Sequence, residues 1–509
     1  MIKNQLFELI YNGMAPDDKI NIDMQTTYYH QNKSVTVKGF YDGNGIYKVR
    51  FLPEETGDYT WETKGLFNDC GRTDCKQGKE KGIVRAKGTG FVRDGKLFHP
   101  FGTTVYALIH QPPDLVKRTL ETLKQSPFNK VRMCVFPKYY DWNHNEPDNF
   151  AFFFDAEGKP DTNNHDFIFW QQLETYIAIL NEMDIQCDLI LFHPYDKWGF
   201  AKMDMSSCMR YLDYATRRLS AFPNIWWSLA NEYDIMVQYL ERFSEFAEYV
   251  SSNDPYKHLL SNHQMFSPWD FSNQHTTHVS TQTKDINRTR NLMKRFSKPI
   301  VYDEVRYEGN LPYEWGNLTP QMMTDSFWRI CVCGAYCTHG ETYITDKCEQ
   351  DEILWWAKGG ELKGTSPARI AYLKKLIEAL PGKLEPIDHA FSIDPTLTYE
   401  ELLLLFKEHR APKYLSPVLQ ILSSEGFEVV KHMNECNIGH IGESVYLYYL
   451  ADQAPVVYDI ELPENGSYDV HIIDTWEMES EIQLHGVNGK VRIKLPQKLY
   501  MAILAVICE

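Results

Sequence analysis

The chain has 509 residues, 43% of them hydrophobic and 24% charged, the make-up of an ordinary globular protein too long for one hydrophobic core. A formal net charge of −17 excludes nucleic acid and anionic membrane surfaces as partners, because phosphates are held by clustered Lys and Arg. No run of eighteen apolar residues is present to span a bilayer, and the start MIKNQLFELIYNG has neither a long apolar stretch nor a small-residue cleavage site; a cytoplasmic location is expected, with a secreted mature form left open.

Residues 1–88 read as an N-terminal β-sandwich. Val35 and Val37 alternate with polar neighbours, Asp42-Gly43-Asn44-Gly45 supplies a turn, and Tyr47, Val49 and Phe51 alternate after it, which is strand periodicity. A second turn at Thr56-Gly57-Asp58 leads into Tyr59 and Trp61, and a hairpin with one buried face is expected here. The stretch 64–87, dense in Gly and Lys, is expected to close it as a loop.

From residue 89 to 385 the period changes to short apolar runs separated by helical stripes. Eight strands are expected at 101–106, 130–136, 186–193, 225–231, 259–262, 279–282, 299–304 and 335–339. Leu115, Val116, Leu120 and Leu123 mark one helix, Met209, Leu212, Thr216 and Leu219 a second, and Met236, Leu240, Phe243, Ala247 and Val250 a third, with a closing helix near 369–380. This is the order of a (β/α)8 TIM barrel, so the fold class is α/β. A doubly wound sheet would show a Gly-rich phosphate turn after its first strand, and none is present.

Residues 381–412 read as a connector, and 400–509 as a C-terminal β-sandwich with strands at 445–450, 456–462, 468–473, 491–495 and 500–506. Eleven cysteines are scattered through the chain, several in apolar runs, as expected of buried thiols. Cys331, Cys333 and Cys337 have C-x-C-x3-C spacing without a second ligand pair, so no metal is expected there.

Reactive residues of such a barrel follow the carboxyl ends of its strands. Glu232 ends the fourth strand in Trp226-Trp227-Ser228-Leu229-Ala230-Asn231-Glu232, and Glu304 ends the seventh in Ile300-Val301-Tyr302-Asp303-Glu304. A lone strand-end Glu is ordinarily a solvated acid; two on strands that face each other across the mouth can serve as the acid/base and the nucleophile of a retaining glycosidase. Asp303 competes with Glu304, since successive strand residues point to opposite faces. Arg132 lies in an apolar run where an unpaired guanidinium would be costly, and Glu304 is its expected partner. His193, His263, Gln282 and Asn231 also follow strand runs, while Trp227 reads as core.

These motifs resemble the cellulase-like clan A of retaining (β/α)8 glycosidases, with Asn-Glu on strand four as acid/base and Glu on strand seven as nucleophile. The barrel, with FLPEETGDYTWET before it and ILWWAKGGELKGTSPARIAYLKKLIEALP after it, is similar to the apiosidase-like subset of that clan, with a β module on each side. The resemblance implies catalytic Glu232 and Glu304, with Arg132 and His193 orienting the nucleophile. Strand six lacks the clan's His-x-Tyr, giving Ser280-Thr281-Gln282, and strand eight gives Thr338-His339-Gly340-Glu341 instead of Trp. Substrate contacts are therefore expected from Arg132, His193, Asn231, His263, Gln282, His339 and Trp355, with Trp356 an alternative platform. The implied function is an exo-acting retaining glycoside hydrolase on short plant-type oligosaccharides, with a glycoside substrate, no metal, no cofactor, and self-association left open. A competing reading is a non-catalytic carbohydrate-binding protein on a degenerate barrel, against which the intact acid pair argues.

Overall fold

The computed structural model describes residues 1–349, 351–387, 398–400, 404 and 437–508. All eight expected strands of the middle segment are present: β1 (Phe101–Thr104), β2 (Lys130–Cys134), β3 (Gln186–Phe192), β4 (Ile225–Ala230), β5 (Leu260–Ser261), β6 (Val279–Gln282), β7 (Ile300–Glu304) and β8 (Tyr336–His339). They form one sheet in the order β5-β4-β3-β2-β1-β8-β7-β6, every neighbour parallel. Its two ends meet through a single bridge from His263 to Ser280. The ring is thus a near-closed (β/α)8 barrel whose seam lies between β5 and β6.

Covered by helices outside and filled inside, the strands are buried on both faces, which is why they read as continuous apolar runs. The outer layer is α1 (Pro113–Gln125), α2 (Phe167–Glu182), α3 (Met205–Leu219), α4 (Phe243–Asn253), α5 (Thr289–Phe296), α6 (Pro320–Val332), α7 (Trp355–Lys358) and α8 (Ser366–Ala379). The third expected stripe begins as 3-10 turns at Tyr233–Ile235 and Val237–Arg242 and becomes α-helical only at Phe243. Among the described residues no helix is long and apolar enough to cross a membrane.

A small antiparallel sheet, Arg85–Lys87, Gly90–Arg93 and Lys96–Phe98, plugs the amino-terminal end of the barrel. Phe91 packs at 4.9 Å from Trp226 and 5.0 Å from Tyr336, with Val301 and Leu259 completing this floor. The mouth at the opposite end is left as the place where polar side chains gather.

Ahead of the barrel, two sheets face each other. One pairs Phe7–Asn12, Ile46–Phe51 and Phe40–Tyr41; the other pairs Lys33–Lys38, Met24–His30, Gly57–Gly65 and Asp69–Cys75. The expected hairpin between the Tyr47 and Tyr59 runs does not form, because those two strands belong to different sheets. Nor is 64–87 one loop: Asp69–Cys75 is an edge strand whose polar residues face solvent. A buried ionic cluster joins this sandwich to the barrel. Arg50 and Arg218 both bind the Glu174 carboxylate, and Arg218 also reaches Asp42 at 2.6 Å.

After the barrel, a six-stranded antiparallel sheet and the two-stranded pair Val457–Leu462 with Gly489–Lys494 enclose their own apolar core. Tyr449 anchors them to α6 by stacking on Trp328 and donating to Asp325 at 2.9 Å. Two strands of this sheet, Ile438–Ile441 and Glu479–Val487, were not expected from the periodicity, and the second is exposed along nearly its whole length. Most of the expected connector 381–412 lies outside the described residues.

Candidate active site

Lys130 and Arg132 are two apart on β2 and so share its inward face. Beneath the mouth Lys130 Nζ meets Asp188 at 2.9 Å and Asp303 at 2.6 Å, while Arg132 lies 3.7 Å from Asp188 and 3.5 Å from Asp303. Ser280 and Thr338 donate to the same Asp303 carboxylate at 2.5 and 2.9 Å. Burial opposes ionisation of Asp303, but Arg132 and Lys130 outweigh it and hold the carboxyl far below the usual range. Arg132 is therefore paired with Asp303 and Asp188, which corrects the expectation that Glu304 is its partner.

Asp303 and Glu304 also do not exclude each other. Tyr302 points outward to Thr289 of α5 at 2.9 Å, and Asp303 points inward; strict alternation would turn Glu304 out again. The ladder between β6 and β7 slips at this point, with Thr281 opposite Tyr302 and Gln282 opposite Glu304. A slip of this kind re-aims the strand end. Glu304 consequently enters the mouth, one level above Asp303.

At the mouth Glu304 Oε1 accepts from the Tyr106 hydroxyl, which lies 3.5 Å from that of Tyr307, and His263 Nε2 stands 3.9 Å away. Glu232 accepts from the Tyr195 hydroxyl. Its backbone is left-handed, φ 56°, a conformation uncommon outside glycine that persists only where surrounding structure enforces it. One such restraint is its amide, which donates to His263 Nδ1 at 3.3 Å. Burial, then the charge of Arg132, holds His263 well below its ordinary value; the neutral ring accepts at Nδ1, so its proton sits on Nε2, facing Glu304. One imidazole at the barrel seam thus holds the Glu232 backbone and lies 3.9 Å from the Glu304 carboxylate.

Glu232 is 5% exposed and Glu304 7%. Burial first, and the Glu304 charge second, push the Glu232 carboxyl up to about 7, against the pull of Lys138, Tyr195 and Gln282. A carboxyl in that state is protonated near neutrality and can donate.

The other expected contacts divide. Asn231 is buried at the mouth with neither amide atom hydrogen-bonded, and Gln282 keeps an unpaired Oε1; these are atoms a ligand could satisfy. His193 Nε2 bonds the Phe136 carbonyl at 3.1 Å, and burial pulls its pKa down to about 3. It orients the loop after β2 rather than Glu304. His339 is fully buried away from the mouth, stacked on Phe128 at 4.8 Å and 3.3 Å from Thr103. Trp355 also turns inward, donating to Thr103 at 2.8 Å. Its neighbour Trp356, about 100° further round the helix, supplies the mouth aromatic beside Tyr106, Tyr307 and Trp315. Tyr106, Tyr195, Tyr307 and Lys138 were not singled out from the sequence, although Tyr106 ends the first expected run and Tyr195 lies two residues past His193. A cavity of about 640 Å³ opens beside Glu304, lined in part by Gln282, Tyr307, Trp315 and Trp269. A groove of about 920 Å³ lies on the outer wall around α1, remote from both acids.

Among the described residues one group has metal-ligand spacing, Glu308, His339 and Glu341, with atoms within 4.8 Å of one another. Its carboxylates are already engaged. Glu308 accepts from the Thr365 amide at 3.0 Å and the Ser366 hydroxyl, and Glu341 from the Lys363 and Gly364 amides at 2.5 and 2.8 Å. Those donors run from Lys363 to Ser366 and lead the chain into α8. The group anchors α8.

Residues 89–382 match the family described as "Apiosidase-like, catalytic domain". Domains of unknown function match on either side, DUF5060 over 7–65 and DUF5605 over 435–505. Among solved structures, a candidate glycoside hydrolase from Bacteroides vulgatus ATCC 8482 is 30% identical, covering 100% of this chain and 99% of that one, with a TM-score of 0.85. A glycoside hydrolase family 5 protein from the same organism is 13% identical over 84% of this chain and 93% of that one, TM-score 0.59, a likeness of fold. No curated protein matches the chain.

Proposed function

The chain belongs to the apiosidase-like family, and from that premise we propose that it is a retaining glycoside hydrolase with Glu304 as nucleophile and Glu232 as acid/base. The observation that carries the reading is the shared setting of the two acids: one buried imidazole accepts from the Glu232 amide and lies 3.9 Å from the Glu304 carboxylate, and the Glu232 carboxyl is pushed up to about 7. In the first displacement a Glu304 oxygen attacks C1, the glycosidic C–O bond breaks, and the Glu232 proton passes to the leaving oxygen. In the second, water gives its proton to Glu232 and attacks C1, releasing Glu304 and the sugar with retained configuration. Asn231 and Gln282 have the unpaired atoms to hold sugar hydroxyls. Trp356 and Trp315 offer flat faces for C–H-rich sugar rings.

The exo reading is supported by the loop after β2, which brings Trp142 against Tyr313 at 5.6 Å. A wall of this kind suits removal of one sugar from a short plant-type oligosaccharide. A panel of aryl glycosides and oligosaccharides, run with wild type and Glu232→Gln, tests the assignment. Hydrolysis abolished by the substitution supports it; sugar binding without turnover in either protein supports the carbohydrate-binding alternative, and internal cuts confined to long polymers contradict the pocket. Because the acid must be protonated to donate, kcat/KM of the active substrate falls as pH rises through about 7.

A further inference from the structure

Lys138 follows β2 and is 3% exposed. Its backbone carbonyl is pinned by Asn145 at 3.0 Å. Among the described residues its ammonium makes no salt bridge and donates no hydrogen bond, an unusual state for a buried cation. It rests instead on aromatic faces, 3.7 Å from the centre of Tyr106, 4.3 Å from Tyr195 and 5.8 Å from Trp356. The two nearer rings are those whose hydroxyls bind Glu304 and Glu232. The cation therefore lies between the two tyrosine–carboxylate pairs and is bonded to neither acid.

We propose that Lys138 is a positioning residue of the reaction, the constant cation against which negative charge passes from Glu304 to Glu232 and back during the two displacements. This rests on the roles assigned to the two acids above. In the free enzyme Glu304 is the carboxylate and Glu232 holds the proton. Attack forms the Glu304–C1 ester bond, breaks the glycosidic bond and sends the Glu232 proton to the leaving oxygen, so the charge now resides on Glu232. Water then adds to C1, the ester bond breaks, and the water proton returns to Glu232. The pocket's net charge is the same throughout; only the seat of the negative charge changes. A lysine salt-bridged to one acid would favour that acid's ionised form and oppose half of the cycle. Aromatic faces stabilise the ammonium without committing it to either acid.

The other groups facing Lys138 supply no competing charge at this level. Cys134 is pushed up to about 12 and His193 down to about 3, in both cases chiefly by burial, and His263 is held well below its ordinary value. Arg132 is engaged with Asp303 and Asp188 one level below. Burial lowers Lys138 itself, against the opposing pull of Glu232, Cys134 and Glu304.

Infrared difference titration of the full chain, wild type against Glu232→Gln, follows the protonated carboxyl of Glu232 without any glycoside. The expected midpoint is about 7. Lys138→Met raises it by about one pH unit or more, Lys138→Arg restores it, and Glu304→Gln lowers it. Lys138→Gln is the substitute if the methionine variant does not fold. An unmoved midpoint in a natively folded Lys138→Met or Lys138→Gln overturns the proposal. A moved midpoint with no hydrolysis of any glycoside contradicts the function reading instead; an unmoved midpoint in an active enzyme contradicts this proposal alone.

Discussion

Two levels of buried charge are stacked in the barrel, and they are built on opposite plans. In the lower one Lys130, Arg132, Asp188 and Asp303 lie within ion-pair distance of one another, and Ser280 and Thr338 add hydrogen bonds. In the upper one Glu232 and Glu304 share the mouth with a single ammonium that pairs with neither. In the lower level Asp303 is held far below its ordinary value while burial raises its neighbour Asp188, and in the upper one Glu232 is raised to about 7. The contrast teaches that contacts, more than burial, set the two carboxyls apart: Asp303 meets two cations and two hydroxyls, whereas Glu232 faces an ammonium that does not pair with it.

The comparison can be broken from either side. Glu304→Gln should cost on the order of 10⁴-fold or more in kcat/KM on the active glycoside, as expected when a covalent nucleophile is lost, with little change in the denaturation midpoint. Asp303→Asn should do the reverse in kind, destabilising the fold by about 3–5 kcal/mol in urea melts because it leaves two buried cations short of a partner. Were Asp303→Asn neutral for stability, the lower level would not be the scaffold described. The smallest effect sharpens the contrast. Glu232 titrates at about 7 in the folded chain against an ordinary 4.5, so the folded state holds an extra proton between those values. Stability is lost as pH rises through that window, and the full cost stands above it. Glu232→Gln removes the cost, so the variant should exceed wild type by on the order of 1–3 kcal/mol at pH 8 and match it near pH 4. Equal melting curves at both pH values would show that Glu232 is not raised.

Much of this arrangement was legible in the sequence, for a physical reason. Strands buried on both faces must be apolar throughout, so the eight barrel runs stood out, and Glu232 and Glu304 were conspicuous as the acids that end two of them. Pairing partners were harder. The rule of alternation misassigned the relation of Asp303 to Glu304 because the β6–β7 register slip obeys no visible pattern. Arg132 was offered the wrong carboxylate for the same reason: which acids face it depends on barrel closure between distant segments. Lys138 and Tyr195 come from loops with no periodicity, and choosing Trp356 over Trp355 needs the rotation of a four-residue helix. Edge strands such as Asp69–Cys75 and Glu479–Val487 bury little, so their sequences carry almost no strand signal.

The division of labour between the two levels is tested most directly by finding which carboxylate becomes covalently bound. A series of 2-deoxy-2-fluoroglycosyl fluorides, matched to the sugar that the glycoside panel identifies, would trap the intermediate for peptide mass spectrometry. One adduct per chain is expected, on Glu304, absent from Glu304→Gln and formed in Asp303→Asn that has folded. An adduct on Asp303, Glu308 or any other acid, or a product released with inverted configuration, would contradict that assignment.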